Sequence, residues 1–271
     1  MSTPDWTTWA RGEWRRWRVG RERRLADPYG WLSVTSLEWL DETPRAIDGF
    51  PGLWSGDEDD VRVELTEEDG VQRDGSPISG LVEIPLQEDE SDDTLFHDGT
   101  VAEAGIRGGR PMVRLRNPDA PARAAFTGVP SYDWDDSWVV PAHFREYPET
   151  VVREIDTAYP GVRQPMTFWG EVTFTRGDTD VTLVVSGGTG SAFAVFHDPT
   201  NGMDTADWRS VPLGEVDPAG GTTLDFNRAT NFPSAFIPGL ATCPRPVPEN
   251  EVPFPVTAGE QRPTNGDRRG E

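Results

Sequence analysis

Apolar residues in the first 25 positions recur at helical spacing. Trp6, Ala10, Trp14, Trp17 and Leu25 fall on one stripe, with Arg21 among them. Thr3-Pro4-Asp5 supplies a capping hydroxyl, a proline suited to the first helical position and then an acid. The pattern predicts an amphipathic helix over about 4–25, ending before the Asp27-Pro28-Tyr29-Gly30 turn. Its tryptophan face should dock on the rest of the domain, with its arginines bonding nearby carboxylates.

From about residue 31 the period shortens to two. Leu32 and Val34 alternate with Ser33 and Thr35, and the phase breaks near Leu37. Gly49 to Gly56 reads as a loop. Val61–Leu65 and Val71–Arg73 flank Glu67-Glu68-Asp69-Gly70, a hairpin signal. Short strands follow at Leu81–Leu86, Thr94–Ala104, Pro111–Asn117, Trp138–Arg145 and Val151–Ile155. In Pro111–Asn117, Met112, Arg114 and Arg116 share one face, opposite Val113 and Leu115. Phe168–Arg176 and Thr179–Ser186 form the clearest hairpin, turning at Gly177-Asp178. Phe193–His197 and Thr222–Asn227 complete the set. Many short strands with turn residues between them indicate a mainly β, single-domain antiparallel β-barrel or β-sandwich carrying the N-terminal amphipathic α-helix. Residues 1–261 form that domain, and the polar stretch 262–271 reads as a disordered tail.

The stretch Thr222–Glu260 breaks this rhythm. Five prolines between Pro233 and Pro248 exclude a long helix or a central strand. Side-chain hydrogen bonds must hold such an irregular path. If Leu224–Asn227 is a strand, Asp225 and Asn227 share a face, and Asn231 follows in the next turn. Those three side chains either line a pocket or bond turn backbone as scaffold.

Charge changes the picture of the environment. The chain of 271 residues carries 47 acids against 25 bases, a formal net charge of −22, and every base is arginine. Such self-repulsion is relieved by high salt, as in proteins of salt-accumulating halophiles. The acidity argues against nucleic acid, which needs a basic footprint, and against anionic membranes. No apolar run reaches the roughly 18 residues of a membrane span, and the N-terminus lacks a charged-then-apolar leader pattern. The expected location is the cytoplasm. One cysteine, Cys243, excludes an internal disulfide.

No motif names a reaction. His97, His143 and His197 share no ligand spacing, and the acidic runs Asp57–Asp60 and Asp89–Asp93 lack calcium-loop order, so neither metal nor cofactor is expected. Ser186–Ser191 is glycine-rich but is neither a nucleophile elbow nor a P-loop. Cys243, before Pro244 and with no base nearby in sequence, reads as structural. Arg114 and Arg116 could clamp a carboxylate or phosphate, or pair with internal carboxylates.

At these residues the chain resembles a bacterial and archaeal family known as domain of unknown function 1684. The resemblance rests on Asp225-Phe226-Asn227-Arg228-Ala229-Thr230-Asn231-Phe232-Pro233-Ser234-Ala235-Phe236, on Cys243-Pro244-Arg245-Pro246-Val247-Pro248-Glu249-Asn250 and on Ala258-Gly259-Glu260. Gly30-Trp31-Leu32, Arg114-Leu115-Arg116 and Phe196–Thr200 are similar to further family blocks. Ser234 stands where the family has a first cysteine, so a cysteine pair is excluded here. Asn117 stands where an aspartate is usual, and Met203–Arg209 is a degraded form of a T-Y-x-x-G-R step. The resemblance implies no known reaction.

The reading that follows is a small-molecule site near Asp225, Asn227 and Asn231, with Arg114, Arg116 and Glu249 as further candidates. Catalytic residues are not assigned; hydrolysis with Asp225 as base is the most economical chemistry. The alternative is a non-catalytic structural or protein-interaction module whose C-terminal motif is scaffold. Oligomeric state is left open.

Overall fold

A computed structural model describes residues 6–188 and 190–264. The expected helix cap at Thr3-Pro4-Asp5 lies outside the described residues, as does 265–271 of the expected tail. Helix α1 runs Trp6–Leu25. Ten strands follow in the first half: β1 (Val34–Trp39), β2 (Arg45–Ile47), β3 (Phe50–Gly56), β4 (Asp60–Leu65), β5 (Gln72–Arg73), β6 (Ser76–Pro77), β7 (Gly80–Pro85), β8 (Ser91–His97), β9 (Thr100–Arg107) and β10 (Arg110–Arg116). A single helical turn, α2 (Pro121–Ala124), leads into the second half. There lie β11 (Val139–Asp156), β12 (Arg163–Arg176), β13 (Thr179–Ser186), β14 (Phe193–Phe196), β15 (Arg209–Pro212), β16 (Gly221–Asp225) and β17 (Thr230–Asn231).

The strands form three antiparallel sheets. In the first half, the sheet β1-β10-β9-β8-β5-β6 faces the sheet β2-β3-β4-β7. Alternation explains the packing. Val61, Val63 and Trp54 of one sheet share a core with Leu95, Ala102, Ala104 and Val113 of the other, all fully buried. This is a small sandwich with its own core.

The second half is built differently. The seven-stranded sheet β16-β11-β12-β13-β14-β15-β17 curls until Leu213, just past β15, meets Leu224 of β16. Among the described residues that isolated bridge is the one pairing at this seam, so no closed barrel forms. The inner face is covered by the C-terminal segment rather than by another sheet: Val252, Val256 and Ala258 are buried against Phe174, Leu183, Phe196 and Phe226. A third apolar cluster joins Leu25 of α1, Leu32 and Val34 to Phe236, Ile237, Ala241 and Cys243, tying the helix and both halves together.

Several local expectations change. Glu67–Asp69 forms a 3-10 turn and not a hairpin loop, because β4 pairs with β3 and β7 rather than β5. Phe50–Gly56, expected as loop, is β3; its apolar side chains complete the first core despite its glycines. Thr94–Ala104 is split by a turn at Asp98 and Gly99, both at positive φ. The two strands expected between Trp138 and Ile155 are one long strand, interrupted in register between Glu146 and Val151.

Phe226 is fully buried and touches the rings of Trp138, Phe174 and Phe196 at centroid distances of 5.8, 5.5 and 5.6 Å. Phe226→Ala is expected to cost about 3–5 kcal/mol, read as a lowered midpoint in urea unfolding with unchanged slope.

Candidate functional site

Strand β16 stops at Asp225 and Phe226–Arg228 turns as a 3-10 helix. Asp225 and Asn227 therefore do not lie on one strand face, as expected from alternation. Instead Asp225 caps the turn: its Oδ1 accepts the Asn227 backbone N–H at 3.1 Å and the Asn227 amide at 3.0 Å. Its other oxygen lies 3.3 Å from the Arg228 guanidinium. Burial raises the Asp225 carboxyl above its usual range, against the opposing pull of Asn227 and Arg228. Asn227 spends its whole amide on the backbone and on Asp225. Its Oδ1 accepts from Asp135 N and its Nδ2 donates to Asp135 O. Its own carbonyl accepts the Trp14 indole N–H at 2.8 Å, which anchors α1.

The remaining motif residues continue this clasp. The Asn231 N–H donates to Glu260 Oε2 at 2.7 Å, its Nδ2 donates to Gln261 O, and its carbonyl accepts from Arg21. Arg21 also bonds Glu260 Oε1 at 3.1 Å. Asn250 inserts between β13 and β14: Oδ1 accepts from Val184 N, and Nδ2 donates to Val184 O and Val195 O. That explains why these neighbouring strands pair only at Ser186 and Phe193. Arg209, fully buried, donates to the carbonyls of Val256, Ala258 and Glu260 and pairs with buried Asp198 at 3.1 Å. Gly259 sits at φ 77°, where a Cβ would lie 2.6 Å from Ala229 O, so only glycine fits between Ala258 and Glu260 there.

Arg114 and Arg116 lie elsewhere, on the face of β10 turned away from Val113, Leu115 and the first core. Both grip Glu103 of β9, at 2.7 and 2.5 Å, and both stack on Trp31. Arg114 also donates to Leu240 O at 3.0 Å, joining the first half to the proline-rich segment. Glu249 pairs with Arg153 near the surface. The six candidates therefore occupy three separate places: Asp225, Asn227 and Asn231 in the clasp, Arg114 and Arg116 against Glu103, and Glu249 in the C-terminal segment against Arg153 of β11.

Cys243 is buried beside Ser234. Burial pushes its thiol up, with Ser234 and then Arg114 pulling weakly the other way. A thiol held in its neutral form is a poor nucleophile. Among the described residues no three His, Cys, Asp or Glu side chains gather as a metal site.

What alternation could not indicate is a cleft beside the clasp. It encloses about 370 Å³ and is walled by Trp208, Phe232, Ser234, Ala235, Arg245 and Arg262. The segment that sequence singled out thus lines a cavity, through residues other than its Asp and Asn side chains. Arg245, between two prolines, was the available signal: a lone cation on a rigid stretch of an acidic chain.

This is a mainly β protein with an N-terminal helix, whose C-terminal segment is locked by a buried polar clasp and borders a cleft. The chain belongs to the family described as "Protein of unknown function (DUF1684)", whose model matches residues 124–261. That match covers the second core and the clasp; Gly30–Leu32 and Arg114–Arg116 fall before it. No curated protein matches the chain. Among solved structures, the solution NMR structure of an uncharacterized protein of Haloarcula marismortui is similar at 22% identity, with a TM-score of 0.43, over 51% of this chain and 78% of that one.

The Glu103 cluster yields a direct test. Burial opposes its ionisation, but Arg114 and Arg116 together outweigh that and hold its carboxyl below the usual range. A depressed carboxyl stabilises the fold above its unfolded value of about 4.3, and the gain is lost as pH falls through the folded value. Glu103→Gln leaves Arg114, 1% exposed, without its counter-charge. It is expected to cost about 3–5 kcal/mol in denaturant unfolding at pH 7. The difference from wild type should shrink below about pH 4.

Proposed function

We propose that the protein binds a small molecule in the cleft between the clasp and the 206–208 segment. The observation that carries this reading is the cleft itself: about 370 Å³, within the range of small-ligand sites, with polar groups set among apolar walls. The clasp supports it by holding Phe232 to Gly239 on a fixed path, so the wall is formed before a ligand arrives. Asp225, Asn227 and Asn231 then act as positioning scaffold beside the site.

Binding without hydrolysis fits the groups present. Ser234 is the one hydroxyl among the lining residues, and no lining residue is a histidine. Asp225, the base that sequence favoured, has both oxygens engaged inside the clasp.

A thermal-shift screen of polar metabolites separates these assignments. Ala235 lines the cleft and is half-buried at the edge of the third apolar cluster, so Ala235→Trp fills the space from its wall. Ligands that raise the melting temperature of wild type should fail to do so for Ala235→Trp and still do so for Asp225→Asn. Hits that survive Ala235→Trp and vanish with Asp225→Asn would move the site to the clasp.

The setting of this activity is a salt-rich cytoplasm, with no nucleic acid or membrane as partner. The acid excess of 47 against 25 supports it, and no described helix is long and apolar enough to cross a membrane. Raising KCl from about 0.1 M to above 1 M shortens the Debye length from about 10 Å to about 3 Å. The melting temperature should rise by on the order of 10 °C over that range as carboxylate repulsion is screened. An unchanged melting temperature would remove the halophilic reading.

A further inference from the structure

The acid excess makes the cleft electrostatically unusual. Most arginines described in this chain meet a carboxylate or stack on an aromatic ring away from the cleft. Arg245 and Arg262 both line the cleft, and neither makes an ion pair among the described residues. Each is oriented by a neutral acceptor. Arg245 Nε donates to Thr157 O at 3.0 Å, and Arg262 Nη1 donates to Gly202 O at 3.3 Å. A carbonyl fixes a guanidinium without cancelling its charge. Both side chains are therefore held in place while most of their N–H donors stay without a protein acceptor.

The surrounding backbone reinforces this. The Arg245 N–H bonds Asp156 O and the Arg262 N–H bonds Asp204 O, so both residues are tethered at main chain as well as side chain. The acids at Asp156 and Asp207 do not neutralise them. Asp156 pairs with Arg163, and Asp207, the one acid lining the cleft, is exposed and joins neither arginine. Arg245 also lies over the Trp208 ring at 4.7 Å, which occupies the face of the guanidinium and leaves its edge. Trp208 is 6% exposed and its indole N–H has no partner among the described residues. Phe232 adds a second aromatic wall.

We infer that the cleft is a site for a small organic anion: a carboxylate or phosphate monoester, held by Arg245 and Arg262, on a flat apolar body that lies against Trp208 and Phe232. Planar guanidinium edges match both oxyanions, and aromatic walls favour a flat body over a bare inorganic ion. The inference rests on the cleft being a binding site and adds the sign and shape of what enters it.

A charge series on one ring tests it. Benzoate, phenyl phosphate, benzamide and benzylammonium are titrated by calorimetry into the full chain, at the lowest KCl concentration that keeps native circular dichroism. Benzoate or phenyl phosphate should bind about tenfold or more tightly than benzamide, and benzylammonium should not bind. Arg245→Gln and Arg262→Gln should each weaken the anions about tenfold, leave benzamide unchanged and retain the wild-type circular dichroism spectrum. Arg245→Lys should retain part of the affinity, which a purely structural role for Arg245 would not require. Whichever of the two anions binds more tightly identifies the oxyanion the site prefers. Equal binding of benzoate and benzamide, both abolished by Ala235→Trp, would overturn the anion inference and leave the small-molecule cleft standing. Anion binding that survives both arginine substitutions would overturn it too, as would no anion binding at millimolar concentration. Loss of the cleft itself is read separately, from the metabolite screen on Ala235→Trp.

Discussion

A charge removed from water must be met by the protein, and at Arg209 that requirement shapes the C-terminal third of the chain. Its guanidinium is wholly buried, and its counter-charge, Asp198, has no exposed side-chain surface. One carboxylate cannot occupy every N–H of both terminal nitrogens, so Nη1 and Nη2 also draw in the carbonyls of Val256, Ala258 and Glu260. A segment with too many prolines to form a ladder is thereby held by side chains. Asn227, Asn231, Asn250 and Glu260 complete the same task at other points along it, each trading an amide or carboxylate for a strand neighbour. The curled sheet can do without a partner sheet because this tethered segment supplies Val252, Val256 and Ala258 to its core.

The clasp also determines where a cleft can exist. Trp14 reaches the Asn227 carbonyl and Arg21 reaches Asn231 and Glu260, so α1 is fastened to the clasp. The segment from Phe232 to Cys243 then passes between the two halves, with Arg114 bonding Leu240 from the first. Rigid on that side, and bounded on the other by Trp208, the chain leaves a gap it does not fill. Arg245 and Arg262 line that gap and neither pairs with a carboxylate among the described residues, in a protein where acids outnumber bases by nearly two to one. Cys243, the one cysteine of the chain, is a buried, neutral thiol beside the Ser234 hydroxyl, so the clasp depends on hydrogen bonds and packing alone.

Much of this was legible in the residues, and the exceptions have physical causes. The period-two pattern of Val61–Leu65, Pro111–Asn117 and Phe168–Ser186 marks real strands, because each has one face on a core. Phe50–Gly56 was not legible as a strand, since its glycines and proline argue for loop and only burial against the opposite sheet overrides them. The hairpin at Glu67–Gly70 looked right locally but lost to a nonlocal pairing of β4 with β7. Asp225 and Asn227 stand out in the sequence as polar groups in an apolar setting. The strand face assigned to them failed because Asp225 bonds the Asn227 N–H and ends the strand.

The sequence by itself determined class and charge: a β-rich chain with an N-terminal helix, far more acidic than basic, with one cysteine and a C-terminal segment that cannot be regular. These follow from composition, local period and the covalent limits of proline, which need no partner to act. Tertiary structure alone decided what the conspicuous side chains do. Whether an Asn lines a pocket or bonds a distant carbonyl depends on which backbone groups are left unpaired once sheets form. Asn227 meets Asp135, 92 positions away, and Asn250 meets Val184, 66 away. The cleft is likewise a remainder, the space left when segments fixed by those distant bonds fail to touch, and no local pattern encodes it.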